Sequence, residues 1–179
     1  MSSSATPNAD DLEQASAIAA ETAKQFRKRI QEEYLPRIGK CVSLLDRDQL
    51  WDRPGPHNNS VANLLLHLAG NTRQWILSGI AGATDHRDRD GEFTARAETQ
   101  TASGEELLAN LAATVEEAAT VVDNLSPGEL LEVRTFQSRW KETGLAAVLH
   151  VIEHFSGHAG QIYAYTKQTL GIDLGFYRL

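Results

Sequence analysis

The chain has 179 residues, of which 41% are hydrophobic and 23% are charged, as is ordinary for one soluble globular domain with a sizeable core. The formal net charge is −7, and the densest basic run, Arg27-Lys28-Arg29, is short and is followed by Glu32 and Glu33. Since phosphate binding needs a basic patch, we expect no nucleic-acid partner. One cysteine, Cys41, excludes an internal disulfide and is typical of a reducing compartment.

The N-terminal stretch MSSSATPNADDLEQ lacks both the basic and the apolar region of a secretory signal. No apolar run approaches the ~18 residues that a membrane span needs. We therefore predict a soluble cytoplasmic protein that does not contact a membrane. Residues 1–9 are predicted to be a disordered tail, and residues 10–179 a single domain.

The first predicted helix begins near Asp10 or Asp11, either of which could cap it. Apolar residues then recur at helical spacing on one face: Leu12, Ala15, Ala19, Phe26, Ile30 and Tyr34. Pro36 is expected to kink or restart this helix, because proline cannot donate a backbone hydrogen bond. Residues 46–59 are rich in turn formers.

Ser60 is a suitable N-cap for the second predicted helix, which ends at Gly79 to Gly82. A polar loop is predicted for residues 82–102. Ser103 and Glu106 match a capping box that opens the third helix. Residues 126–129 close that helix and could cap a short turn, and residues 131–140 could hold a small hairpin. The fourth helix is predicted from Thr143 to Leu170, before Gly171.

Four long amphipathic helices joined by connections of moderate length predict an all-α four-helix bundle. On the fourth helix His150, His154 and His158 are each four residues apart, so they form a slowly drifting stripe, which also includes Gln161. Two imidazoles at this spacing start close enough to share a metal ion, and either neighbouring pair could do so. A third ligand must come from another helix.

The best facing candidate is His67, at the edge of the apolar face of the second helix. Asn63, Asn71 and Gln74 share its flank. A polar strip beside an apolar face is what a metal site inside a bundle would use. The alternative is that these histidines are partly buried and satisfied by hydrogen bonds.

Two other metal motifs are weaker. The run from His150 to His154 matches the H-x-x-E-H pattern of inverzincin peptidases, but the chain has no room for the rest of such an enzyme. The run from Asp85 to Gly91 faintly resembles a calcium loop, and it fails because Ala97 falls where an EF-hand places its final glutamate. His57 and His86 lie in predicted loops and are expected to be solvated.

Two stretches together resemble the DinB superfamily of metal-binding four-helix bundles. They are NSVANLLLHLAGNTRQWI on the second helix and HVIEHFSGHAGQI on the fourth. RDRDGEF in the long loop and the ending LGFY resemble one uncharacterised branch. The resemblance covers the chain from about residue 30 to its end and implies a DinB-like bundle.

The family pattern is one histidine on the second helix and an H-x-x-x-H pair on the fourth. The resemblance therefore implies that His67, His154 and His158 are the metal ligands. His150 would then support them or line the pocket, together with Asn71, Gln74 and Gln161. Gln161 stands where some members have another histidine, so the resemblance does not extend to a fourth protein ligand.

Imidazole ligands suit zinc or nickel, and the sequence does not separate these metals. The resemblance implies thiol S-transferase chemistry, in which a low-molecular-weight thiol bound as thiolate attacks an electrophilic small molecule. Metal-dependent hydrolysis and a non-catalytic, metal-stabilised interaction protein stay open as alternatives. The resemblance also implies a homodimer. The sequence identifies no catalytic residue.

Overall fold

The structure is a computed structural model that describes residues 8–176. Within this range the predicted bundle of long helices is present, and short elements fill the connections between them. In chain order the elements are α1 (Ala9–Arg27), a first π-helical segment (Lys28–Tyr34), α2 (Leu35–Leu44), α3 (Arg47–Trp51), α4 (Val61–Thr72), a second π-helical segment (Arg73–Ser78), α5 (Arg89–Thr94), α6 (Gly104–Asp123), α7 (Pro127–Leu131), β1 (Val133–Phe136), β2 (Trp140–Thr143) and α8 (Gly144–Leu170).

The first helix begins slightly earlier than predicted. Asn8 is its N-cap and forms a capping box with Asp11, so neither Asp10 nor Asp11 is the cap. Asn8 and Ala9 thus belong to the helix boundary rather than to the predicted tail. Residues 1–7 of that tail lie outside the described residues, as does Tyr177 of the LGFY ending.

Pro36 does not interrupt the first helix, but the helix type changes next to it. It occupies the first turn of α2, directly after the first π-helical segment, so the chain is helical without interruption from Ala9 to Leu44. In that segment the backbone N–H of Leu35 bonds to the carbonyl of Ile30, five residues back. The wider turn is where the chain adapts to the missing proline N–H and the bulk of its ring.

The predicted helix starts at Ser60, Ser103 and Thr143 are confirmed, since each side chain accepts a backbone N–H as an N-cap. Gly171 ends α8 in the left-handed conformation, with a φ of 66°. Residues 126–129 cap a short helix, α7, through Ser126 and Glu129.

The connections contain more structure than the sequence analysis predicted. The turn-rich stretch 46–59 holds α3, opened by a capping box between Asp46 and Gln49. The polar loop 82–102 holds α5, with Asp88 as its N-cap. A hairpin is present but spans residues 133–143, so its second strand lies almost wholly beyond the predicted range 131–140. Its strands are antiparallel, with Phe136 opposite Trp140. Gln137 and Ser138 turn the hairpin with positive φ angles of 52° and 54°.

The core lies between the long helices, where α4 packs against α6 and α8 and α2 packs against α8. Its largest fully buried side chains come from α1, the π-helical segments, α2, α4, α6, β1 and α8: Phe26, Ile30, Ile38, Val61, Leu65, Leu68, Ile76, Leu111, Val115, Phe136, Phe155 and Ile162. None of the helices between residues 8 and 176 is both long and apolar enough to span a membrane. The contact between α4 and α8 brings the predicted site residues together.

Candidate metal centre

Three of the predicted site residues converge where α4 crosses α8. His67 comes from α4, and His154 and His158 come from successive turns of α8. One ring nitrogen of each lies within 4.8 Å of those of the other two. Among residues 8–176 they form the one group of three or more His, Cys, Asp or Glu side chains close enough to hold a metal ion.

The closest approach in the group is between His67 and His154. Their Nε2 atoms lie 2.9 Å apart. Since two nitrogen lone pairs repel each other, a proton or a cation must lie between these atoms. The spacing is therefore compatible with a bound divalent metal and equally with a shared proton in its absence.

His67 is buried and its Nδ1 lies 2.8 Å from Oε2 of Glu92. Phe93, the next residue of α5, packs on the imidazole with ring centroids 4.6 Å apart. A histidine that binds metal through one nitrogen commonly donates its other N–H to a carboxylate. The surroundings of His67 match this arrangement.

Glu92 is itself held by Arg87. Nε and Nη2 of Arg87 donate to the two carboxylate oxygens at 2.7 and 2.8 Å, and both side chains are less than a tenth exposed. Burial raises the pKa of Glu92, but the hydrogen bonds from Arg87 and His67 outweigh it and lower that pKa below its ordinary value. Glu92 is therefore a carboxylate at neutral pH.

Two residues of α4 allow α5 to lie this close. The side chain of Asn63 donates to the carbonyls of Glu92 and Ala95, which ties α5 to the helix that carries His67. Gly70 leaves the space that the ion pair occupies, because a Cβ there would lie 1.9 Å from Oε1 of Glu92. Any larger residue would have to displace the carboxylate.

His158 is oriented from the other side. Its Nδ1 lies 2.8 Å from Oε1 of Gln161, one turn further along α8. A carbonyl oxygen only accepts, so Nδ1 is the donor and the lone pair of Nε2 is free. Gln161 also lines a cleft of about 270 Å³ that continues to Asn59 and Gln168.

Two histidines of α8 are kept in the neutral form that binds metal. Burial, helped by the neighbouring histidines, lowers the pKa of His154 to about 3. Burial also lowers the pKa of His158, and its hydrogen bond to Gln161 only partly opposes this. Neutral imidazoles do not have to lose a proton before they bind a cation.

His150 lies beside the group and not within it. Its ring stacks on Trp75 at 4.0 Å between centroids, and Trp75 in turn stacks on Phe136 at 4.8 Å. The amide nitrogen of Asn71 lies 3.4 Å from Nε2 of His150, while Oδ1 of Asn71 is buried and has no hydrogen-bond partner among residues 8–176. Asn71 and His150 thus form a polar wall next to His154.

Gln74, another predicted pocket residue, contacts Arg87 and not the histidines. Its Oε1 accepts from Nη1 of Arg87 at 2.8 Å, and its Nε2 donates to Asp85 at 2.7 Å. Arg87 and Glu92 were not predicted as site residues. Both lie in the RDRDGEF motif, residues 87–93, which is the sequence signal that points to them.

The discounted motifs have structural roles. Asp85 and Asp88 of the calcium-like run hold Arg87 and cap α5. Glu153, which would be the base of an inverzincin, is exposed and lies outside the histidine group. His57 and His86 are exposed, as expected.

The comparisons with known proteins agree with this architecture. The model of the DinB superfamily matches residues 33–162. No curated protein sequence matches the chain.

Among solved structures, a DinB-like protein from Bacillus subtilis superposes with a TM-score of 0.62 at 16% identity, covering 88% of this chain and 98% of that chain. A DinB-like protein from Bacillus cereus has a TM-score of 0.60 at 13% identity, covering 80% and 90%. A conserved protein from Enterococcus faecalis has a TM-score of 0.61 at 17% identity, covering 88% and 98%. At these identities the likeness shows the fold alone.

Proposed function

The chain belongs to the DinB superfamily, and we propose that it is a metal-dependent thiol S-transferase whose zinc or nickel ion is held by His67, His154 and His158. The observation that carries the proposal is the convergence of three imidazole nitrogens within 4.8 Å of one another. Three protein ligands leave a position for a substrate, whereas structural zinc sites use four.

The donor set fits a borderline metal. Each of the three residues offers a nitrogen, and both His67 and His158 have their Nδ1 atoms engaged by an oxygen, which leaves Nε2 for the metal. When bound, such a metal supplies Lewis acidity that keeps a small thiol deprotonated and nucleophilic at neutral pH.

The chain's own thiol is not suited to that role. Cys41 lies on α2, is fully buried, and is absent from the histidine group. Burial raises the pKa of its thiol above the ordinary value, which opposes formation of the thiolate. The nucleophilic sulfur therefore comes from a separate small molecule.

The cleft lined by Gln161, the hydrogen-bond partner of His158, is the proposed entry for that molecule or its electrophilic partner. Its lining combines apolar residues with His57, Tyr165 and four carboxamide side chains, those of Asn58, Asn59, Gln161 and Gln168. The lining residues include no carboxylate, lysine or arginine. Such a surface suits a neutral molecule with hydrogen-bonding groups.

The first test is metal content, measured by elemental mass spectrometry on protein purified without a His tag or added metal. We expect about one equivalent of zinc or nickel per chain. His67→Ala should lose it, whereas His86→Ala, at an exposed loop position, should keep it. Protein that is metal-free and takes up neither ion would refute the metal site.

The second test distinguishes thiol transfer from hydrolysis and from the absence of catalysis. Metal-loaded protein is supplied with N-acetylcysteine and 1-chloro-2,4-dinitrobenzene, and thioether formation is followed by absorbance. Thiol transfer predicts a rate that falls at least tenfold in His154→Ala. Cleavage of p-nitrophenyl acetate without a thiol would favour the hydrolase instead. A loaded protein inactive in both assays would favour the non-catalytic alternative.

The homodimer and the cytoplasmic location stay predictions of the sequence analysis. Sedimentation equilibrium tests the first, and fractionation of the source cells tests the second.

A further inference from the structure

We propose that Glu92, clamped by Arg87, is a positioning residue that fixes His67 in the tautomer with its proton on Nδ1, so that Nε2 faces His154 and His158 ready to bind. The inference rests on the proposed function, because this tautomer is useful only if a metal binds Nε2. Its central claim concerns one proton on one imidazole, which can be observed without any metal.

The hydrogen-bond partners of His67 determine which ring nitrogen carries its proton. Oε2 of Glu92 is 2.8 Å from Nδ1 of His67, and a carboxylate oxygen can only accept. Nδ1 must therefore carry the proton. In a neutral imidazole the lone pair then belongs to Nε2, the atom 2.9 Å from Nε2 of His154.

The opposite tautomer is excluded by the same contacts. Nη2 of Arg87 lies 3.0 Å from Nδ1 and could in principle donate to a lone pair there. That choice would place the Nδ1 lone pair against a carboxylate lone pair at 2.8 Å, which is repulsive. One of the two N–H groups of Nη2 donates to Oε2 of Glu92, at 2.8 Å, so Nη2 has an acceptor without Nδ1.

Arg87 makes Glu92 a fixed acceptor rather than a mobile one. Its guanidinium grips both carboxylate oxygens, and such paired hydrogen bonds set direction as well as energy. Arg87 is anchored in turn by Oε1 of Gln74, and its backbone N–H donates to Asp85. The carboxylate therefore cannot rotate away without breaking a buried ion pair.

The decisive measurement is the ¹⁵N–¹H long-range NMR spectrum of His67 in metal-free protein, which distinguishes the two tautomers. Wild type should show a protonated Nδ1 and an unprotonated Nε2. Glu92→Gln keeps an oxygen acceptor and should keep this tautomer, whereas Glu92→Ala should lose the preference. A protonated Nε2 in folded wild-type protein would overturn the proposal on its own, even if no variant folds.

Zinc affinity, measured by competition with a chromophoric chelator, is the second readout. Glu92→Ala should weaken zinc binding by about 10- to 100-fold, the usual effect of losing a partner of a metal-binding histidine. Glu98→Ala, at an exposed position of the same loop, is the matched control and should leave affinity unchanged. Affinity within twofold of wild type in Glu92→Ala would also overturn the proposal.

The two proposals fail in different ways. If wild-type protein binds no zinc or nickel, the metal site fails while the tautomer measurement still decides the role of Glu92. If wild-type protein binds metal and His67 carries its proton on Nε2, the metal site stands and the role of Glu92 falls.

Discussion

The Nε2 atoms of His67 and His154 lie 2.9 Å apart although 87 positions separate the two residues in the chain. Such a contact between two ring nitrogens is stable only with a positive particle between them. The packing of α4 on α8 thus creates a place for a proton or a metal ion, and the following predictions test what depends on it.

Zinc should stabilise the wild-type protein against heat. A ligand that binds the folded state alone adds about 2.7 kcal/mol at a free concentration 100-fold above its Kd. We expect a raised Tm with zinc in wild type and no rise in His154→Ala, measured by circular dichroism after removal of bound metal. His86→Ala, at an exposed loop position, is the control and should respond like wild type. An equal rise in His154→Ala would place the zinc elsewhere.

Gly70→Ala should destabilise the protein, despite the higher helix propensity of alanine. The new Cβ would lie 1.9 Å from Oε1 of Glu92, so the buried ion pair must move, at a cost of about 1–3 kcal/mol. Gly157→Ala is the matched control on α8, where a Cβ meets no atom within 4 Å. Gly157→Ala should gain about 1 kcal/mol of unfolding free energy, because alanine has the higher helix propensity. Urea unfolding measures both, and a stabilised Gly70→Ala variant would contradict the close packing of Glu92.

Cys41 should be unreactive in the folded protein. Its side chain is fully buried, and burial raises the pKa of its thiol, opposed only in part by a hydrogen bond with Thr166. Because the raised pKa lowers the thiolate fraction at pH 8, Ellman's reagent should react with less than a tenth of the thiol under native conditions. In denaturant one thiol per chain should react. Fast native reaction would reopen Cys41 as a candidate nucleophile.

Phe136 should be the energetic anchor of the hairpin. It is buried, and its ring stacks on Trp75, which supports His150. Phe136→Ala should cost about 3–5 kcal/mol of unfolding free energy. Trp140 lies opposite Phe136 in the strand register but is 47% exposed, so Trp140→Ala should cost less than about 1 kcal/mol. Similar losses in the two variants would show that the stack is not what holds the hairpin.

Local sequence signals were reliable wherever the interaction spans a few residues. Ser60, Ser103 and Thr143 cap the helices they were expected to cap, because an N-cap bonds a backbone N–H only three residues away. The outcome at Pro36 depends on more than local signals. Proline disfavours a helix locally, but the packing of the surrounding helix keeps the chain helical through a π-helical segment.

The candidate site was only partly visible in the sequence. The periodicity of α8 places His150, His154 and His158 on one stripe, and the spacing of four residues is the same for both neighbouring pairs. Periodicity therefore could not choose between the pairs, and the choice in the sequence analysis came from resemblance. In the structure α4 crosses α8 where His67 contacts the second pair.

Sequence alone thus determined the long helices, the N-caps of three of them and the residue types available for a metal, because these depend on periodicity and on neighbours within one or two turns. Tertiary structure alone decided which imidazole nitrogens lie close together and which side chains form hydrogen bonds to those imidazoles. Glu92 lies in a polar loop, 25 positions from His67, and no spacing or periodicity in the sequence predicts that the two side chains are in contact. The pairing arises because Asn63 ties α5 to α4 and Gly70 leaves room for the carboxylate. The hydrogen bonds of Asn63 and the space beside Gly70 both depend on how α4 and α5 pack, so they exist only in the folded chain.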